Sequence, residues 1–337
     1  MADLPARADI DQLRHQAKDL LAAATAGDRQ ALERVRAVSP RLVLASAQLA
    51  VARNHGFASW AKLKTEIARR ELLNRRDLGG LRTLIDADPA LATARLEHFC
   101  DHDRGVAPLS YIAMLNFDSS RLGLPNEPSG TGDVAKMLLE AGAPVEGDPA
   151  DRETPLITAA SYGDAEVAKA LIGAGADLEA VAAADAGGVP GGTALRHAAV
   201  FGMTEVVDVL VGAGARVDSL EMAAAAGDIA AWPLGGTALQ SRLRALVFAS
   251  DHQRLDVIDQ LVDAGTPVDD EDATWGRQAL RVAARNGRSA SVRRLLDHGA
   301  DPHRRDAMQN RTALDWCEGV GLGHDRVRAI LQAFSIG

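Results

Sequence analysis

Thiols are almost missing from this sequence. Its 337 residues include two cysteines, Cys100 and Cys317, set far apart. That excludes a disulfide framework and suits a reducing compartment, so a cytoplasmic location is expected. Basic residues are also in deficit, with 37 Lys and Arg against 46 Asp and Glu and a net charge of −9. A surface of that sign repels phosphate backbones and argues against nucleic acid as a partner. Long apolar runs are absent as well. No stretch approaches the ~20 apolar residues that cross a bilayer, and the N-terminal MADLPARADIDQLRHQ holds no signal-peptide core. The sequence therefore reads as neither exported nor membrane-spanning. Clear strands are missing too, so no glycine-rich phosphate loop follows one and no cofactor is expected.

What the sequence does have is a repeat. Apolar pairs followed by small-Gly-small recur in VAKMLLEAGAPV, VAKALIGAGADL, VVDVLVGAGARV, VIDQLVDAGTPV and VRRLLDHGADPH, with glycines at 142, 175, 214, 265 and 299. The basic step is 33 or 34 residues, and longer steps carry insertions. A second pattern opens each unit: APLSYIAM, TPLITAAS, TALRHAAV, RALVFASD, QALRVAAR and TALDWCEG, beginning at Ala107, Thr154, Thr193, Arg244, Gln278 and Thr312.

Both patterns have a physical reading. Leu156, Ala159 and Ala160 fall at i, i+3 and i+4, one face of a short helix, with Thr154 as N-cap and Pro155 at the first helical position. Val167, Leu171 and Ile172 form the apolar stripe of a second helix, and Gly175 follows it as a left-handed cap. Each unit is helix, turn, helix, stop. One such hairpin leaves its apolar face open, so neighbours must stack into a continuous core.

These units resemble the ankyrin repeat, a T-P-L-H-x-A-A helical hairpin ending in G-A-D and followed by a β-turn finger. The resemblance runs from about Ala107 to the C-terminus. It implies an all-α ankyrin-repeat solenoid that recognises a protein or peptide partner on its concave face. The family's usual histidine is replaced by Ser110, Ile157, Arg196, Val247, Arg281 and Asp315, so the finger it supports must be held another way.

The N-terminal third repeats more loosely. GDRQALERVRAVSPRL and RDLGGLRTLIDADPAL align Asp28 with Asp77, Leu32 with Leu81 and Pro40 with Pro89. Amphipathic helices lie before and between them, with Ser59 as a cap and Phe57 and Trp60 as packing anchors. The expected organisation is a helical N-terminal cap with a divergent repeat over 1–74, a divergent repeat over 75–106, and ankyrin units over 107–337. Insertions fall at 116–132, 181–192 and 223–243, and the last belongs to a truncated unit without a full second helix.

Candidate chemistry is sparse. In HFCDHDRG, His98, Cys100 and His102 share one face of an extended chain. Residues four apart there lie about 13 Å apart, too far to converge on ~2 Å metal bonds, so no metal site is expected. Cys100 also has histidines two residues away on either side, but sequence adjacency does not supply the geometry of a nucleophile and its base.

The helix positions that usually face the ankyrin groove hold Met114 and Leu115, Ser161 and Tyr162, Val200 and Phe201, Asp251 and His252, and Arg285 and Asn286. The middle of that series is apolar and aromatic. Tyr162, Phe201, Asp251, His252, Trp275 and Arg277 are the expected binding residues, because aromatics and arginine dominate interface energies. His197 and Trp316 sit at a repeat position usually turned into the core. The alternative is a small-molecule or catalytic variant in which the loops after Asn116 and Val181 fold over the groove, with His197, Asp251, His252 and Tyr162 supplying the chemistry.

Overall fold

A computed structural model describes residues 4–5, 8–96, 105–119, 129–307 and 309–334, the side chain of Asp118 apart. Every regular element among them is helical; extended pairing is limited there to two isolated bridges, Leu96 with Val106 and Val181 with Thr193. The chain packs as two compact units, Met1–Asp151 with Gly173–Gly175, and Arg152–Ile172 with Ala176–Gly337.

The first unit holds α1 (Ile10–Thr25), α2 (Arg29–Arg36), α3 (Leu44–Asn54), α4 (Trp60–Arg75), α5 (Leu78–Ala87), α6 (Pro108–Asp118) and α7 (Thr131–Glu140). The two loosely matched N-terminal segments use the same device. Asp28 accepts the Ala31 N–H at 2.7 Å to start α2, and Asp77 accepts the Gly80 N–H at 2.9 Å to start α5. Ser59 caps α4 through the Lys62 N–H, and Phe57 and Trp60 pack on a core built from Leu13, Leu20, Val35, Val51, Leu63 and Ile67.

Helix α4 departs from the expected cap with its polar side outward. Glu66, Arg69 and Arg70 are buried, with Glu66 bridging both guanidinium groups at 2.6 and 2.8 Å. Arg69 also donates to the carbonyls of Leu91, Ala94 and Arg95. A buried charge is tolerated when its donors are used in this way, and here it ties α4 to the segment after α5.

The second unit repeats a helical hairpin: α8 (Pro155–Tyr162) with α9 (Ala165–Gly173), and α10 (Ala194–Val200) with α11 (Thr204–Gly212). A lone α12 (Leu220–Ala226) follows. Three further pairs complete it: α13 (Leu239–Asp251) with α14 (Leu255–Asp263), α15 (Ala279–Arg285) with α16 (Ser289–Asp297), and α17 (Ala313–Trp316) with α18 (Leu322–Phe334).

Thr154, Thr193 and Thr312 each cap the helix that follows by accepting a backbone N–H. Leu156, Ala159, Ala160, Val167, Val206 and Leu210 are buried along the inner seam. The glycines at 142, 175, 214, 265 and 299 all have φ between +81° and +94°. Glycine enters that left-handed region without the Cβ penalty, which is why each hairpin stops where it does.

The truncated unit lacks an α-helical partner for α12, as expected, but its neighbour starts early. Residues 239–243 already belong to α13 and 223–226 to α12, so the non-helical part of the 223–243 insertion is only 227–238, with a single 3-10 turn at Leu234–Gly236. No Gly or Pro interrupts LQSRL, and burial of Leu243 extends the helix by more than a turn beyond the repeat pattern.

Candidate functional site

The polar groups proposed for chemistry are spent on the scaffold. His197, at the middle of α10, is fully buried. Its Nε2 donates to the Val189 carbonyl at 3.0 Å, and its Nδ1 lies 2.8 Å from the Ser161 hydroxyl. The 181–192 finger is thereby pinned to the helix it precedes, with the Ala182 N–H closing on the Gly192 carbonyl at 2.9 Å. Burial pushes the His197 pKa down, opposed by the bond to Val189, so the neutral ring is favoured.

Asp251 and His252 correct the expectation of a polar binding surface at the end of α13. His252 is 1% exposed, with Nε2 on the Ala199 carbonyl at 2.9 Å and Nδ1 3.0 Å from the Thr204 hydroxyl. Its pKa is lowered by burial, against the Ala199 bond and the charge of Asp251. Asp251 accepts from Asn286 Nδ2 at 2.8 Å and Arg288 Nε at 3.1 Å, while Arg288 Nη2 donates to the Gly202 carbonyl at 2.6 Å. These side chains fasten three successive hairpins together. With both ring nitrogens of His197 and of His252 engaged by protein groups, the alternative catalytic set of His197, Asp251, His252 and Tyr162 has no free imidazole lone pair to work with.

The aromatic candidates sit differently. Phe201 caps α10 and is 39% exposed, its ring 6.1 Å from that of His197. The finger lies close by, since a Cβ at Gly188 would come within 3.2 Å of the Phe201 ring. Tyr162 is half-buried at the end of α8. Trp275 is 48% exposed, meets Phe248 edge-on at 6.5 Å, and carries the Arg277 guanidinium 5.1 Å from its ring centre. Trp316 is half-buried, with its Nε1 donating to Asp306 at 2.8 Å.

What positions Trp275 is a residue the sequence reading missed. Asp272 is 1% exposed and accepts three backbone N–H groups, from Thr274 at 3.0 Å, Trp275 at 2.8 Å and Arg277 at 2.9 Å. Asp306 does the same one unit later, accepting from Gln309 N, Arg311 N and Trp316 Nε1. A signal was present: Asp-Ala-x-x-Gly/Asn-Arg occurs at 272–277 and again at 306–311. Gly276 and Asn310 occupy the position of positive φ in each. Arg281 stands where the family's histidine usually does, and its Nη2 reaches the Gly276 carbonyl and Glu271. The finger is held by arginine and aspartate instead.

His98, Cys100 and His102 lie outside the described residues, as does most of the loop after Asn116. Among the described residues no group of three His, Cys, Asp or Glu side chains is placed to hold a metal, and no helix is long and apolar enough to cross a membrane.

Stacked helical hairpins, glycine-stopped and joined by turn-forming fingers, define a repeat protein of the ankyrin type. The chain belongs to the ankyrin-repeat family: the family model described as Ankyrin repeats (3 copies) matches residues 128–221 and 220–306. Among solved structures it is similar to the human ASB11 ankyrin repeat domain, at 22% identity, covering 76% of this chain and 94% of that one, with a TM-score of 0.38. No curated protein matches it.

Proposed function

We propose that this chain is a recognition module that binds a protein or peptide partner through the fingers and inner helices of its second unit. Trp275 carries the proposal. Almost half of a tryptophan is left in solvent, yet its backbone is fixed by Asp272 and its ring is braced by Phe248 and Arg277. An aromatic held rigid and exposed loses little entropy on binding and buries a large area, which is how interface anchors work. Phe201 and Tyr162 extend the same apolar character across α10 and α8. Asp251 and His252 support the surface from beneath.

The test separates binding from folding. Immobilised wild-type protein captures its partner from extract of the source cells, and the purified partner is then titrated against Tyr162→Ala, Phe201→Ala and Trp275→Ala. Affinity should fall at least about tenfold, or ~1.4 kcal/mol, with helical circular dichroism and Tm nearly unchanged. Lost stability with unchanged affinity would place these side chains in the core and the partner elsewhere.

A further inference from the structure

We propose that the end of the second unit, from Trp275 to Trp316, docks an acidic peptide segment, with carboxylates engaged by Arg277, Arg285 and Arg304 beside the two indoles. This deepens the recognition role of Trp275 and rests on it.

Charge is distributed unevenly. The whole chain has an acidic excess of 9, yet residues 275–316 hold nine arginines, no lysine and four aspartates. Those aspartates are largely committed to the scaffold. Asp306 holds its finger, Asp315 accepts the N–H and hydroxyl of Thr312 at 2.8 Å each, and Asp301 accepts the His303 N–H at 2.8 Å. Only Asp297, at the exposed end of α16, is left over.

The preceding finger spends its acids likewise. Asp269 accepts from Gln278 and from the Asp301 N–H, Glu271 pairs with Arg281, and Asp272 is buried beneath Trp275, leaving only the half-buried Asp270. Of the arginines, Arg281, Arg288, Arg294, Arg305 and Arg311 have carboxylate partners. Arg277, Arg285 and Arg304 have none.

The unpaired cations are also presented, not merely exposed. Asp269 bonds the Asp301 N–H at 3.0 Å, so the two Asp-Ala-x-x-Gly/Asn-Arg fingers belong to directly joined neighbours. Arg277 and Arg311 hold equivalent positions in them. Arg277 lies over Trp275 at 5.1 Å, and Arg311 and Arg285 lie over Trp316 at 4.5 and 5.7 Å. A guanidinium resting on an indole face is partly desolvated and pre-oriented. Its in-plane N–H donors remain available for a carboxylate, and the fork geometry suits bidentate pairing. A short acidic segment meets only this local positive field. A long polyanion would also meet the acidic excess of the rest of the chain, which disfavours nucleic acid.

Fluorescence anisotropy of the full chain with a fluorescein-labelled Gly-Glu-Glu-Phe-Glu-Glu-Gly peptide tests this, with the Glu-to-Lys peptide and an oligothymidylate as comparison probes. The acidic peptide should bind, and binding should weaken as salt rises. The lysine peptide should not bind, and the double variant Arg277→Gln, Arg285→Gln should weaken the acidic peptide at least about tenfold at unchanged Tm. Arg304→Gln should weaken it less, and Arg326→Gln, on α18, should leave it unchanged. No binding of the acidic peptide at low salt, equal binding of the lysine peptide or the oligonucleotide, or a double variant that binds like wild type would overturn the assignment. Partner capture that still depends on Trp275 would then leave the recognition role standing without an acidic specificity.

Discussion

Removing the Asp272 carboxylate tests how the Trp275 finger is built. Asp272→Ala deletes an acceptor serving three backbone N–H groups at 2.8 to 3.0 Å. A hydrogen bond to a charged group contributes about 1.5–3 kcal/mol net. Simple addition overstates the loss, because Thr274 and Trp275 are exposed and water can reach their amides once the finger loosens. Deleting a buried carboxylate also removes its own desolvation cost. Counting one bond in full and the other two at a fraction gives a loss of about 2–4 kcal/mol. Asp272→Asn keeps a single carbonyl acceptor and should lose about half as much. Urea unfolding gives the global figure, and hydrogen exchange gives the local one, with the amides of Thr274, Trp275 and Arg277 accelerating before the helices do. An alanine variant within about 0.5 kcal/mol of wild type, with those amides still protected, would show that the finger is organised by something other than this carboxylate.

Three further outcomes follow from the same structure. Leu156→Asp or Leu210→Asp places a carboxylate in a seam shared by neighbouring hairpins, so several repeats should unfold together at a cost of several kcal/mol; a Tm within a degree or two of wild type would reject the register. Burial holds the His252 pKa below its ordinary 6.5, and His197 is shifted the same way. As pH falls through 6.5 the unfolded chain takes up protons that the folded one refuses. Stability should therefore be full above that value and decline toward about pH 5, and His252→Gln should flatten the slope of the urea midpoint against pH. Gln253 has φ +55° where sister hairpins carry Gly163, Gly202 and Gly287, so Gln253→Gly should raise stability by about 0.5–1 kcal/mol, read from the same urea curves.

The hairpins were legible because their signals are local. A threonine cap, an i, i+3, i+4 apolar face and a stopping glycine act within a few residues, and Thr154 to Gly175 shows all three. The match of Asp28 to Asp77 was legible for the same reason, since each carboxylate caps the helix that follows it. The candidate site was less so. Phe201 and His252 stand eight residues after their hairpin starts, in equivalent positions, yet one is exposed and the other enclosed. The difference is made by the Ala199 carbonyl and the Thr204 hydroxyl, supplied by an earlier hairpin, which no local pattern announces. The buried Glu66, Arg69 and Arg70 escaped for a related reason. On a helical wheel they resemble a solvated stripe, and the carbonyls that accept from Arg69 come from a segment more than twenty residues away.

The central claim, that recognition takes place on the fingers and inner helices of the second unit, is tested most directly by hydrogen exchange of the full chain with and without its captured partner. Slowed exchange should concentrate at 272–277 and around 199–202 while the outer helices α9, α11, α14 and α16 stay unchanged. Protection confined to those outer helices, or to the exposed apolar surface around Leu21 and Leu44 in the first unit, would contradict the account.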